Sequence, residues 1–565
     1  MAALRKLRWT FIIVPLLVVL TFLIVYPVLT LVLGSFRLEP PRGFNLSLEG
    51  LTLANYIRVF SHVRNYQALK NTVIAAGLGT LFSVITGSWL AWLTARTNVP
   101  FKRLIGLSAI MPLFLSSMVG ALAWITLASP NSGLINLLFR DLGLPFRVNI
   151  QSMGGVIFIF TLYYTPYVYM FVNSALSLMD PSLEEAARIS GASTFRTMQR
   201  VTLPLVLPSI LASAILVFVF MMEVFAVPSL LAEPAQIPFL ASSLYRYLGT
   251  VPPDINQASA LGMLLLVITT GLVSFQHYVV SRRSYVTVAG KGLKQQIIDL
   301  GPFRWPAAFS GLLYIVVAAV LPFFAILING FRSHMFIPHI TRIFENMGTR
   351  HLDFVMSYAP ARTAIINSLW MGLATALVGG VLYFVVAYVI YRTNLPGRRV
   401  LDWISMLPVA IPGLVLGIAY LWAWISLPIG LYGTVWIMVL AYVARLSPQG
   451  VRASGTTLVQ IHTELEESAR ICGASPVKTM WRVIVPLAKP GLASSMILLF
   501  ITSVRELSTS IFLYTPKSVV LSVIMYDMWE NGMFGGVSLL ALVQTTLLLG
   551  VIVVAQRVFG ISVRS

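Results

Sequence analysis

Only 19 aspartates and glutamates stand among 565 residues, against 39 lysines and arginines, so the places where acids cluster carry information. Two pairs, Glu184-Glu185 and Glu466-Glu467, open nearly identical segments, "EEAARISGAS" (184–193) and "EESARICGAS" (466–475). Four further charges, Glu223, Arg445, Arg505 and Glu506, interrupt otherwise apolar runs. Charge within such a run is costly and usually faces an aqueous path or a partner. These four therefore either line a translocation path or pair internally to fix helix packing. If Arg445 lines a path, an anionic or anion-complexed substrate is easier to accommodate than a bare cation. His334, His339 and His351, with Glu345 and Asp353, could capture a metal, but their spacing matches no compact ligand set. A solvated loop is the ordinary reading, and no metal site is assigned. Serine, histidine and aspartate show no catalytic ordering, and no G-x-x-x-x-G-K-[ST] phosphate loop occurs. "AGKG" (289–292) lacks both the glycine spacing and the hydroxyl. No enzymatic activity and no bound cofactor are expected of this chain.

The elements that position these residues are membrane spans. Hydrophobic residues make up 58% of the chain, mean hydropathy is +0.85, and runs beyond the roughly 20 residues of one crossing recur. Twelve spans are expected, at 10–34, 70–95, 104–128, 152–177, 206–231, 257–281, 306–330, 365–391, 402–426, 433–457, 489–514 and 536–560. The first follows Arg5, Lys6 and Arg8, is too long for a signal peptide, and reads as a retained helix. The net charge of +20 suggests basic cytoplasmic loops rather than nucleic-acid binding. With a cytoplasmic N-terminus, Arg96/Lys102/Arg103, Arg282/Arg283 and Arg392/Arg398/Arg399 all fall inside. The C-terminus, beside Arg557 and Arg564, then lies inside too. Cys472 is the sole cysteine and its counterpart is Ser190, so no intrachain disulfide and no thiol-specific role is expected.

The chain repeats itself. "ARTNVP" (95–100) matches "YRTNLP" (391–396) at an offset of 296, and the acidic segments match at 282. The difference fits a longer external loop (129–150) in the first half than in the second (426–433). The expected organisation is a first half at 1–285, a linker at 286–305 and a second half at 306–565. Both halves have six spans and the same orientation, as parallel repeats around a path along the membrane normal do.

Between Glu184 and Pro208, 15 of 25 positions are identical to the segment Glu466 to Pro490. Asp180-Pro181 provides a helix start, and Thr463 to Glu466 has a capping-box pattern. Acids in the first turn suit the helix dipole. Ala186 and Ala187, or Ser468 and Ala469, keep one face small, with Arg188 or Arg470 on the rim. Gly191-Ala192 or Gly473-Ala474 permits a sharp turn. A second short helix runs to Pro204 or Pro486. The elbows at 180–204 and 462–486 both fall on the cytoplasmic side. The alternative is an ordinary amphipathic loop on the lipid surface, but two matching copies favour docking to a paired partner.

These residues resemble the EAA motif of inner-membrane permeases of binding-protein-dependent ABC importers of type I. The pattern is present as Glu185-Ala186-Ala187, Gly191-Ala192 and Leu203-Pro204, and again as Glu467-Ser468-Ala469, Gly473-Ala474 and Val485-Pro486. Ser468 and Val485 are mild departures. The resemblance covers nearly the whole chain. It implies an all-α permease fold in which two copies of a separate ABC ATPase, carrying ATP and Mg, receive the elbows. It also implies a periplasmic or lipid-anchored binding protein that delivers substrate to outer loops including 36–67 and 331–363, in a bacterial inner membrane. The fused form, with "VTVAGKG" and "DLGPFRWP" in its linker, is similar to ferric-iron permeases; relatives that carry thiamine, polyamines, phosphonates or sugar phosphates are the alternatives. An ATPase-independent twelve-helix secondary transporter and a scaffold without a path are the rivals of other classes.

Overall fold

Apolar runs that cross a bilayer can satisfy their backbone groups only internally, as helices do. In the computed structural model every regular element among the described residues is helical. The structure describes residues 13–39, 49–113, 115–180, 182–282, 297–333, 339–425, 427 and 430–559. Arg5, Lys6, Arg8, Pro181, Arg283, linker residues 286–296, His334 and Arg564 lie outside them.

The first half contains α1 (Ile13–Ser35), α2 (Val63–Arg96), the bent α3 (Lys102–Leu113 and Ser117–Ala128) and α4 (Met153–Leu178). There follow the elbow helix α5 (Ser182–Ile189), α6 (Met198–Glu223), the short α7 (Leu240–Leu248) and α8 (Ile255–Arg282). The second half repeats this order as α9 (Gly301–Phe331), α10 (Ala359–Arg392) and the bent α11 (Arg398–Ala410 and Gly413–Ile425). It continues with α12 (Val435–Arg445), α13 (Ser447–Val459), elbow helix α14 (Glu464–Ile471) and α15 (Pro476–Arg505). The short α16 (Leu521–Glu530) and α17 (Phe534–Phe559) complete it.

Three expectations about the spans are corrected. Those at 104–128 and 402–426 are not straight: α3 turns by 100° and α11 by 112°. Pro112, and Pro408 with Pro412, stand at these bends, where each proline removes a backbone donor and excludes the preceding carbonyl. The span at 433–457 is split at Leu446 into α12 and α13, of 11 and 13 residues. At about 1.5 Å per residue neither alone crosses a ~30 Å core. The spans at 206–231 and 489–514 end early, at Glu223 and Arg505, where the next residue turns extended (Val224 ψ 125°, Glu506 ψ 124°). The segments beyond are not plain loops, because α7 and α16 are largely buried there.

Wide turns precede four prolines in symmetry-related positions. The N–H groups of Tyr26, Leu203, Leu321 and Val485 reach back five residues, to the carbonyls of Thr21, Met198, Val316 and Met480. Each lies immediately before a proline, Pro27, Pro204, Pro322 or Pro486. One widened turn admits the ring and keeps the helix continuous. The second elbow helix therefore does not stop at Pro204 or Pro486; it runs on into α6 or α15.

The halves interlock through their first helices. α1 packs on the second arm of α11, where the Tyr420 hydroxyl donates to the Leu23 carbonyl at 2.7 Å. α9 packs on both arms of α3 of the first half, and the Tyr314 hydroxyl reaches α4, donating to the Leu162 carbonyl at 2.8 Å. Each half thus covers the other's bent third helix with its own first. Tyr420→Phe and Tyr314→Phe each leave a buried carbonyl one donor short. Each is expected to lower stability by about 1 kcal/mol, read as a lower midpoint of thermal unfolding in detergent; unchanged midpoints would contradict the interlock.

Candidate functional site: paired elbows and a charged centre

The two elbows are built alike to the level of single hydrogen bonds. Gly191 (φ +82°) and Gly473 (φ +83°) adopt the left-handed conformation that glycine tolerates best. The Gly191 N–H donates to Arg188 (2.9 Å) and the Ala192 N–H to Ala187 (3.0 Å). In the second copy Gly473 donates to Arg470 and Ala474 to Ala469, both at 3.0 Å. This is a Schellman closure, which satisfies the last carbonyls and turns the chain sharply. Ser193 and Ser475 then cap the second helix, accepting from the N–H groups of Arg196 and Lys478 at 3.4 and 3.3 Å. At each bend an isoleucine, Ile189 or Ile471, is 88% or 86% exposed. Leu183, Glu185 and Ala186, like Leu465, Glu467 and Ser468, are exposed beside them, and Cys472 is exposed.

The paired glutamates divide their work, since adjacent helical residues point roughly 100° apart. Glu184 and Glu466 turn inward and are almost fully buried. Glu184 lies 3.4 Å from Arg96 at the end of α2 and accepts from the Thr202 hydroxyl at 2.6 Å. Glu466 lies 3.6 Å from Arg392 at the end of α10 and accepts from Tyr388 at 3.3 Å, with Arg470 at 3.4 Å. The capping box expected at Thr463 is absent, because Glu466 spends its carboxylate on Arg392 instead. Asp180 does act at the first helix start, accepting from the Ser182 N–H at 2.9 Å.

Arg96 and Arg392 were not among the expected site residues. The signal was present in the repeated Arg-Thr-Asn, whose arginines terminate α2 and α10. On the first copy the linker's end also docks: Ile298 donates to the Arg96 carbonyl at 2.8 Å, and the Asn98 N–H donates to Ile298 at 3.1 Å.

The four intramembrane charges stand at helix breaks, and three of them, Glu223, Arg445 and Glu506, form one cluster. Arg445, the last residue of α12, lies 3.3 Å from Glu223 of the first half and pairs closely with Glu506 of the second. Its Nη1 donates to the Thr509 hydroxyl at 2.9 Å, and the Thr509 N–H donates to Glu506 at 2.9 Å. Arg505 instead donates to the carbonyls of Leu113 and, at 3.0 Å, Leu115, on the bend of α3. Two arginines and two glutamates sum to zero charge, which reduces the cost of placing them at this depth. Near the ends of α6 and α15, Phe225, Tyr245 and Tyr526 pack as an aromatic triangle, and Phe512 packs on Tyr245, so the cluster draws on both halves. Its four ring-to-ring distances are 5.1, 5.3, 5.9 and 6.1 Å.

Among the described residues of the histidine loop the candidate ligands stay apart. His339 lies 3.2 Å from Asp141 of the first half, and the Ile340 N–H donates to the same carboxylate at 2.6 Å. The Ile340 N–H, followed by His339, holds the Asp141 carboxyl below its usual range. Glu345 pairs with Arg342, and Asp353 accepts from Thr349. Among the described residues no three histidine, cysteine, aspartate or glutamate side chains converge as metal ligands.

Two substitutions test this geometry. Glu184→Ala leaves Arg96 buried without its counter-charge, at a cost of ~3–5 kcal/mol. A double replacement, R96M with E184L, is expected to recover much of that loss in thermal unfolding, and a neutral E184A would contradict the anchoring role. Gly413→Ala would place a methyl 1.6 Å from Arg445 Nη1. It is expected to expel the guanidinium and destabilise the protein as much as Arg445→Ala does; an unaffected unfolding midpoint would count against the packing described.

The comparisons with known proteins agree with this architecture. The model of the family "binding-protein-dependent transport system inner membrane component" matches twice, at residues 79–285 and 383–563. The chain is 26% identical over 531 residues to the ferric transport system permease protein FbpB of Actinobacillus pleuropneumoniae, covering 91% of this chain and 73% of that one. It is 26% identical to the putative ferric transport system permease protein FbpB 1 of Haemophilus influenzae, covering 88% and 77%. It is 27% identical to a probable ABC transporter permease protein, y4fN, of Sinorhizobium fredii, covering 93% and 91%. The chain belongs to the binding-protein-dependent transport system inner membrane components, as a multi-pass transport subunit with the permease domain present twice and no enzymatic role of its own.

Proposed function

We infer that this chain forms the whole translocation path of an ATP-driven importer for ferric iron. Each elbow, Glu184 to Ala192 and Glu466 to Ala474, docks in a groove of one of two ATPase copies, which carry ATP and Mg. A substrate-binding protein delivers cargo to the outer loops. Both termini lie in the cytoplasm, and the two permease domains occupy 1–285 and 306–565, joined by a cytoplasmic linker at 286–305. The observation that carries this reading is the matched pair of turns, each presenting an isoleucine more than four-fifths exposed beside small residues. An isolated apolar side chain on a rigid, close-approach turn suits an interface anchor surrounded by small contacts. Support for iron comes from the names of the relatives that match most of the chain.

The path is assigned to the interface of the halves, which holds the Glu223–Arg445–Glu506 cluster, Arg505 against the bend of α3, and the aromatic cluster. Closure of the ATPases would draw the elbows together, part the halves and open the centre outward. A conformational change of this kind needs contacts that differ in energy between its states, and the inter-half ion pair and aromatic contacts supply candidates.

Ile189→Asp with Ile471→Asp is expected to reduce uptake into proteoliposomes at least tenfold while the chain still inserts, since losing two interface anchors costs ~2 kcal/mol or more each. Uptake at the native rate would overturn docking at the elbows. Metal analysis of the cognate binding protein tests the cargo: bound iron is expected, and an organic ligand would overturn iron while leaving the importer reading intact.

A further inference from the structure

Each elbow is continuous with a helix whose far end contacts the opposite half. α6 carries the first elbow's second helix into the membrane without a break and ends at Glu223. The Glu223 carboxylate lies 3.3 Å from Arg445 of the second half. Arg445 in turn rests on Gly413, at the bend of α11, where even a methyl group would fall 1.6 Å from Nη1. α15 carries the second elbow in the same way and ends at Arg505. Arg505 donates to the carbonyls of Leu113, the last residue of the first arm of α3, and Leu115, within the bend, in the first half. Glu223 and Arg505 occupy equivalent positions of the repeat, 282 residues apart. Their side chains are opposite in charge, yet both reach across to the partner half's bent third helix.

Three features make this a transmission route rather than a coincidence of packing. The widened turns before Pro204 and Pro486 preserve helical continuity between elbow and break. The breaks at Val224 and Glu506 release the chain directly after the charged residue, so motion of the helix is delivered there. The receiving elements are bends of 100° and 112°, where the helical hydrogen-bond ladder is already interrupted beside Pro112 and Pro412.

We propose that coupling in this chain is crossed: the first elbow drives the bend of α11 through Glu223 and Arg445, and the second elbow drives the bend of α3 through Arg505. Glu223 and Arg505 are positioning residues in this scheme. The second half has an additional tie within itself, because Thr509 donates to the Gly413 carbonyl at 3.1 Å. The two strokes are therefore unequal, with α11 held from both sides and α3 governed from across the interface. This inference rests on the elbows docking to ATPases.

The test is a set of double-mutant cycles on the full complex of permease, ATPases and binding protein in proteoliposomes, read as substrate imported per ATP hydrolysed. Glu223→Gln and Arg505→Gln are each expected to lower that ratio roughly tenfold, a typical size for site-to-site coupling. Hydrolysis should persist, and the charge-preserving Glu223→Asp should retain most of the coupling. Ile189→Ala combined with E223Q should be no worse than E223Q alone, whereas Ile471→Ala combined with E223Q should show the product of the two effects. The mirror pattern is expected for R505Q, non-additive with I471A and multiplicative with I189A. The reverse pairing in either arm, or an unchanged ratio in the single variants, would overturn crossed coupling. Should E223Q fail to assemble with its ATPases, the R505Q arm carries the same decision. Absence of ATP-driven uptake in the unmodified complex would instead overturn the importer reading itself.

Discussion

A buried arginine–glutamate pair at the base of each elbow is the interaction on which the rest of the structure depends. Arg96–Glu184 and Arg392–Glu466 join the last residue of a long second helix to the first turn of an elbow helix. A buried pair of this kind is weak evidence of net stability, because desolvation offsets most of the attraction. Its contribution is to place: an elbow held by a buried charge has one permitted position relative to the membrane helices. A docking knob that drifted would absorb a partner's motion. One fixed at its root by charge, and closed at its tip by glycine, is suited to pass that motion on in the proposed docking.

From the elbow the route inward is continuous. Proline would ordinarily interrupt it, and the single widened turn before Pro204 and Pro486 is how the helix accommodates the ring while remaining a rod. The rod ends where charge begins, and the neutral set of Glu223, Arg445, Arg505 and Glu506 joins the halves at that level. The aromatic cluster of Phe225, Tyr245, Phe512 and Tyr526 is also shared between halves. Separation of the halves would break the Glu223–Arg445 pair and part the aromatic contacts between them, which suits a closure that is either made or broken. The first helices, exchanged between halves, hold the assembly together while the centre changes.

Much of this was legible in the sequence, and the rest was not for identifiable reasons. The repeat, the elbow turns and the four membrane charges are written in residue types that an apolar chain otherwise avoids, so each stood out. That Glu184 faces inward while Glu185 faces outward depends on helix rotation against α2, which two adjacent glutamates cannot reveal. The bends of α3 and α11 were hidden because hydropathy is continuous through Pro112 and Pro408. Arg445 was recognised as a membrane charge, but its helix looked like an ordinary span. The break at Leu446 aligns its second arm with Pro448, whereas the first half threads the matching Pro166 through an unbroken α4. Tertiary packing decided between the two outcomes.

The central claim is that one chain presents two equivalent docking elbows on the same side of the membrane. Native mass spectrometry of the gently extracted complex tests it most directly, because the proposed docking gives each elbow its own ATPase. One permease chain with two ATPase copies is the result expected. A stable complex containing a single ATPase, or two permease chains sharing one ATPase pair, would contradict the account.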